Sequence, residues 1–327
     1  MTESMVLGVD VGGTHIRVAL VSRAGVILER GKVPTEIHRG ARHASMRIAG
    51  ESRRLMDKAR HHGASVVGLG IGVAGKIHRA RGEVIFSPNL PAMNGYPLAM
   101  ELRETLRVPV VMDNDANVFG VGESWLGSGR GIPNWIGVTL GTGVGGCLVL
   151  AGELWHGDDL GFAGEVGHMN VDPQGPPCAC GLRGCLEAHS SAGALLRAVS
   201  EAARGDWLGC GPLYRRWMKG NLTAEGIYLS AREGDPLARE LFRRMGWGLG
   251  IVLAGLFTVL GIRHAIIGGG VSAAWDAFAG PLRVTLEQYS SFLAPEEMVV
   301  ERSALGDDAA LLGAAKLAWR AAERGEG

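Results

Sequence analysis

His168, Cys178, Cys180 and Cys185 form the pattern His-x9-Cys-x-Cys-x4-Cys. One imidazole and three thiolates in so short a span match the ligand count and softness of a closed tetrahedral zinc site. Glu165 and Glu187 flank the four without being needed by the metal. A metal knot that fixes two spare carboxylates suits recognition of a polyhydroxylated substrate. The same residues also suit a structural staple, with both glutamates supporting the ligands by hydrogen bonds.

A second polar cluster, Asp113-Asn114-Asp115-Ala116-Asn117, follows the apolar run 108–112 and precedes the helix-like run 118–126. A carboxylate at such a junction can cap the helix. It can also act as a general base, because strands of α/β sheets open onto ligand crevices at their carboxyl ends. One aspartate can cap while the other accepts a substrate hydroxyl proton. Asn114 and Asn117 offer hydrogen bonds to hydroxyls without adding charge.

Two glycine loops complete the chemistry-bearing set. Leu7-Gly-Val-Asp10-Val-Gly12 aligns with Ile136-Gly-Val-Thr139-Leu-Gly141, and each copy, with Gly13-Thr14 in the first and Thr142-Gly143 in the second, continues as a strand, a hairpin turn and another strand. A repeat at this distance predicts two homologous domains rather than a solenoid. A dinucleotide fingerprint would open a helix after its glycines, whereas Ile16, Val18 and Leu20 continue as strand. No G-x-x-x-x-G-K-[ST] run occurs. What remains is a pair of hairpin tips. They are either ordinary tight turns or backbone N–H cradles able to clamp a triphosphate from both sides.

The elements that position these groups follow from pattern. Residues 41–62 read as a basic amphipathic helix, 66–73 as a buried strand ending in Ala74-Gly75, and 98–106 as a helix. Ser191 is a cap for a helix to about Arg204, and Asp235-Pro236 opens one that runs to about Leu260. Residues 265–267 are a short strand, followed by Gly268-Gly269-Gly270 and a helix from about Ser272. Residues 205–222 are irregular and carry no functional assignment.

Lys plus Arg equal Asp plus Glu at 33 each in 327 residues, so no global field favours nucleic acid or an anionic membrane. Of five cysteines, Cys147 and Cys210 stand apart from the cluster, a usage that fits a reducing cytosol better than a disulfide framework. The first residues lack a signal-peptide pattern, and the most apolar stretch, 249–262, is short and glycine-interrupted for a membrane span. These features predict a cytoplasmic protein.

Together the motifs resemble the ROK family of bacterial sugar kinases and repressors, within the actin-like ATPase superfamily. The resemblance runs through Asp10-x-Gly-Gly-Thr14, Ser87-Pro-Asn89-Leu-Pro91, Asp113-Asn-Asp-Ala-Asn117, Leu140-Gly-Thr-Gly-Val-Gly-Gly146, Gly164-Glu-Val-Gly-His168, Cys178-x-Cys-Gly-x-x-Gly-Cys-Leu-Glu187 and Ile267-Gly-Gly-Gly270. It implies an α/β, two-domain actin-like (ribonuclease H-like) ATPase fold with a cleft between domains. The expected division is 1–116 plus 306–327 against 117–305.

The resemblance also implies roles. Asp115 matches the catalytic base. Gly75, Asn89, Asn114, Asp115, Glu165, His168 and Glu187 match sugar contacts, and His168, Cys178, Cys180 and Cys185 match ligands of a structural Zn²⁺. Asp10, Gly12, Gly13, Thr14 and His15 match the first phosphate loop, with Asp10 near the Mg²⁺ of Mg·ATP. Gly141, Thr142 and Gly143 match the second loop, and Gly269 and Gly270 the adenosine contact. His15 and Ala74 depart from the commoner family residues, and Thr14-His-Ile-Arg17 is similar to allose kinases.

The expected activity is ATP-dependent phosphorylation of a hexose, glucose first, in a homodimer with no nucleic-acid or membrane partner. Kinases for N-acetylmannosamine, N-acetylglucosamine or allose are the rivals within the class. A sugar-responsive repressor is disfavoured, because Asp10 leaves no room ahead of it for a helix-turn-helix. A zinc-stapled binding module leaves Asp115 and the twin loops unexplained.

Overall fold

The computed structural model describes residues 3–158, 163–205 and 211–325. Strands β1 (Glu3–Val11) and β2 (His15–Val21) form an antiparallel hairpin around residues 12–14, and β3 (Ile27–Pro34) continues it. Helix α1 (Ala41–His61) buries Ala41, Ala44, Ile48, Leu55 and Ala59, a helical spacing that sets its apolar stripe on the sheet. It leads to β4 (Ala64–Val73), then to a small hairpin of β5 (Lys76–His78) and β6 (Glu83–Phe86). Helix α2 (Leu98–Leu106), β7 (Val110–Asn114) and α3 (Asp115–Leu126) complete this half.

The second copy begins with β8 (Trp135–Leu140), β9 (Val144–Leu150) and β10 (Glu153–Trp155). Helices α4 (Leu186–Ser190), α5 (Ala192–Arg204), α6 (Pro212–Trp217), α7 (Ala224–Arg232) and α8 (Pro236–Leu260) follow. The chain ends with β11 (His264–Gly268), α9 (Trp275–Tyr289), β12 (Val299–Arg302) and α10 (Asp308–Arg324). The two large sheets have the orders β3-β2-β1-β4-β7 and β10-β9-β8-β11-β12. The order is the same, position for position, so the repeat seen as a glycine motif extends to whole sheets.

The residues cluster into two compact units. One comprises Met1–Pro133, Cys147–Ala163 and Ser303–Gly327, the other Asn134–Gly146 and Gly164–Arg302. Helix α3 and β10 therefore group with the first unit. Glycines bring α3 and α10 into close contact there: a Cβ on Gly313 would lie 1.7 Å from the Val118 carbonyl oxygen, and one on Gly122 would lie 2.1 Å from that of Ala309. The helix that begins at Asp115 is thus seated backbone to backbone.

In the second unit Ser191 and Asp235 cap α5 and α8 as expected, accepting from Ala194 N (3.0 Å) and Ala238 N (3.2 Å). Helix α8 has 25 residues, longer than the apolar stretch 249–262, and is long and apolar enough to cross a membrane by length and composition. Its Phe242, Met245, Leu249, Leu253 and Phe257 are buried, and Gly246 lies against the backbone of α9, which marks it as a core helix. The helix expected from Ser272 starts at Trp275, because a 3-10 turn, Gly270–Ala274, intervenes. Within 205–222, α6 gives order to 212–217, while 206–210 and Cys210 lie outside the described residues.

Candidate active site and metal centre

In the first unit, strand register lines up the candidate groups. Val11 pairs with Val73 and Val73 with Asn114 in parallel, so residues 12–14, Gly75 and Asp115 leave the sheet side by side at its carboxyl edge. That edge is where α/β sheets bind ligands. The first loop is closed by Gly12 N–H donating to His15 O (3.0 Å). Buried Thr35, beyond β3, braces it twice. Its Oγ1 donates to Gly12 O (2.6 Å) and its N–H to Thr14 O (2.9 Å).

Asp10 pairs across the hairpin with Arg17, whose Nε and Nη2 donate to Oδ2 at 2.9 and 2.7 Å. The exposed Asn89 meets the same loop, since a Cβ on Gly13 would lie 3.4 Å from its carbonyl oxygen. Gly75 has φ +123° and packs so closely that a Cβ would lie 2.4 Å from Phe86 O. No other residue type fits that conformation and contact.

The Asp113–Asn117 junction differs from expectation in one respect. Strand β7 runs through Asn114 rather than stopping at Met112, so Asp115 is the first residue of α3. Neither aspartate caps the helix. Asn114 does, its Oδ1 accepting from Ala116 N (2.8 Å) and Asn117 N (3.3 Å) while its Nδ2 donates to Gly75 O (2.8 Å). Asp115 is half-buried in the first turn, where the helix end favours its negative charge. Its Oδ1 accepts from Ala116 N at 2.9 Å.

Asn117 is buried and donates to Asp113 Oδ1 (2.8 Å), so it braces the junction instead of facing a hydroxyl. Asp113, 3% exposed, also pairs through Oδ2 with His156 Nε2 (2.8 Å). Sequence reasoning misses His156 and Thr35, since neither sits in a motif and both act across long sequence separations.

In the second unit, β8 and β11 run parallel with Thr139 opposite Gly268. Gly141–Gly143 and Gly269–Gly270 therefore leave adjacent strand ends. At Gly269, φ is +81° and a Cβ would lie 2.4 Å from Leu140 O, at the root of the second loop. Within that loop Gly141 N–H donates to Gly143 O (2.9 Å).

The metal-type ligands do converge. The ligand atoms of His168, Cys178, Cys180 and Cys185 all lie within 4.8 Å of one another. Cys178 Sγ is 3.8 Å from His168 Nδ1, and Cys180 Sγ is 3.6 Å from Cys185 Sγ. Metal–sulfur bonds of about 2.3 Å in a tetrahedron imply edges of about 3.8 Å, so the residues fit zinc. Tight turns shape the knot, with Cys178 N–H donating to Leu182 O (2.8 Å) and Gly181 N–H to Cys178 O (3.1 Å).

Burial, with the neighbouring thiols, pushes the Cys185 thiol up to about 12. Burial also raises Cys178, whereas the Leu182 backbone holds Cys180 down. Crowded sulfurs that resist ionising together are what a cation would relieve.

Glu165 and Glu187 both approach this knot. Desolvation raises the Glu165 carboxyl, His168 pulls it down and Glu187 adds to the rise. Glu187 lies in the first turn of α4. Its Oε2 accepts from Val144 N (3.0 Å), and its Oε1 lies 3.9 Å from Cys178 Sγ.

The model of the ROK family matches residues 6–321. A glucokinase of Thermotoga maritima is 38% identical over 329 residues, covering 97% of this chain and 98% of that one. The crystal structure of a ROK family glucokinase from Streptomyces griseus in complex with glucose and AMPPNP superposes with a TM-score of 0.82 at 32% identity, covering 97% and 99% of the two chains. The ROK hexokinase of Thermus thermophilus gives a TM-score of 0.78 at 30% identity, covering 99% and 100%.

Proposed function

The chain belongs to the ROK family, and from that premise we propose that it transfers the γ-phosphoryl group of ATP to a hexose, glucose first, yielding glucose 6-phosphate and ADP. The observation that carries this reading is the row at the carboxyl edge of the first sheet, where loop 12–14, Gly75 and Asp115 stand side by side. Full-length likeness to glucokinases supports it.

Asp115 accepts the proton of the attacking sugar hydroxyl. That oxygen forms the new bond to the γ-phosphorus, the bond to the β–γ bridging oxygen breaks, and ADP leaves with the electron pair. Loop N–H groups of Gly12, Gly13, Thr14, Gly141, Thr142 and Gly143 meet the phosphates of Mg·ATP, with Asp10 and His15 beside the first loop and Gly269-Gly270 at the adenosine. Gly75, Asn89, Asn114, Glu165, His168 and Glu187 bind sugar hydroxyls. Zinc on His168, Cys178, Cys180 and Cys185 is structural, because four protein ligands leave no position for a reacting water. The reading includes a cytoplasmic homodimer with no nucleic-acid or membrane partner.

A coupled assay of ADP release over a panel of hexoses and N-acetylhexosamines tests it. Glucose should give the highest kcat/KM. A higher value with N-acetylmannosamine, N-acetylglucosamine or allose would move the substrate assignment. No sugar-dependent ADP release with any of them would overturn the kinase reading.

A further inference from the structure

Both ends of the second glycine loop are gripped by the segment that follows the metal knot. At one end Ala192 N–H donates to Gly141 O at 2.9 Å. At the other, Glu187 Oε2 accepts the N–H of Val144, the residue that opens β9, at 3.0 Å. Gly143 leaves room for this: a Cβ there would lie 2.4 Å from that same oxygen. Glu187 is two residues from Cys185, and its other oxygen is 3.9 Å from Cys178 Sγ. The carboxylate therefore spans from the knot to the loop.

We propose that Glu187 is a positioning residue for the second loop, setting the direction of its N–H groups for nucleotide phosphate, in addition to any sugar contact. A bond between a carboxylate and a main-chain amide is charge-assisted and directional, so it fixes the loop more firmly than a neutral contact would. A carboxylate near an anion site repels that anion, so a geometric task accounts for its placement better than direct nucleotide binding. Because Glu187 also borders the sulfur cluster, displacement of the knot carries to the loop that meets ATP. The inference rests on the kinase reading and adds to it a residue that serves the nucleotide through another group.

The test is calorimetric binding of AMPPNP without sugar, with amide exchange at Val144 and metal content measured on the same samples. Glu187→Ala should weaken AMPPNP about tenfold and speed exchange at Val144, as loss of a hydrogen bond to a charged group predicts. Glu187→Gln keeps an acceptor oxygen and should stay within about threefold of the parent. Unchanged AMPPNP affinity and Val144 exchange in Glu187→Ala would overturn the proposal, even with sugar affinity lost. Should Glu187→Ala lose metal or fold, Gly143→Ala displaces the carboxylate and leaves the knot untouched; unaltered AMPPNP affinity in that variant would be equally fatal. An unmodified protein that binds no AMPPNP would overturn the kinase reading itself.

Discussion

The two glycine loops repeat one sequence pattern yet are held by different means. The first is braced from its own hairpin and the adjoining strand: Gly12 bonds to His15, Thr35 returns from the end of β3, and Arg17 pairs with Asp10. The second is braced by Glu187 and Ala192, more than forty residues downstream and just beyond the metal knot. A local brace forms with its own strands. A distant one forms only after a long loop has closed, and loop closure costs chain entropy. Metal bound in the folded state and not in the unfolded chain offsets such a cost. The first loop is therefore held mainly from its own hairpin and the end of β3, and the second by a segment that metal on His168, Cys178, Cys180 and Cys185 would hold in place.

The comparison can be broken or sharpened in steps. The largest expected effect belongs to neither loop. Asp115→Asn should lower kcat by about 10²- to 10⁴-fold while amide exchange in both loops stays unchanged and sugar binding stays largely intact, and retained turnover would refute its role as base. Next comes the metal. Cys185→Ser should lower metal affinity about 100-fold or more and speed exchange at residues 141–144, with residues 12–14 still protected. Equal loosening of both loops would erase the distinction drawn between them.

A glycine pair gives a smaller, sharper contrast. Gly143→Ala should raise the KM for ATP about tenfold, an effect of one charged hydrogen bond. Gly141→Ala, whose Cβ would meet no protein atom within 4 Å and which keeps its N–H, should raise it less. Similar KM values for the two variants would remove Glu187 from the second loop's support. Thr35→Val, which deletes the 2.6 Å bond to Gly12, should cost about 1 kcal/mol of stability in denaturant titration. That loss should appear with and without bound metal. A metal-dependent loss would show that the first loop also leans on the knot.

Much of this was legible from residue order because it is local. The Ser191 and Asp235 caps act within three residues of themselves, and hairpin tips announce themselves by glycine between β-branched runs. The cysteine–histidine spacing carried its own chemistry. The strand–helix junction was less legible. Two aspartates and two asparagines compete for one cap, and the winner, Asn114, was decided by where β7 ends and by Gly75 O lying within reach of its amide. Asn117 looked like a hydroxyl partner until burial against Asp113 committed it. Helix α8 was legible at both ends, since Asp235-Pro236 announced its start and the reading to about Leu260 matches Pro236–Leu260; what burial added is that the apolar stretch from 249 onward packs in the core.

By itself the sequence determined the repeat, the ligand set, the glycine tips and an acidic residue at a strand end, since each depends on residue type and short spacing. Tertiary structure decided which of those groups hold one another. Strand register set loop 12–14, Gly75 and Asp115 in one row, and close packing through Gly143 let Glu187 reach Val144. Register and burial join residues far apart in the chain, and short-range spacing carries no record of that joining.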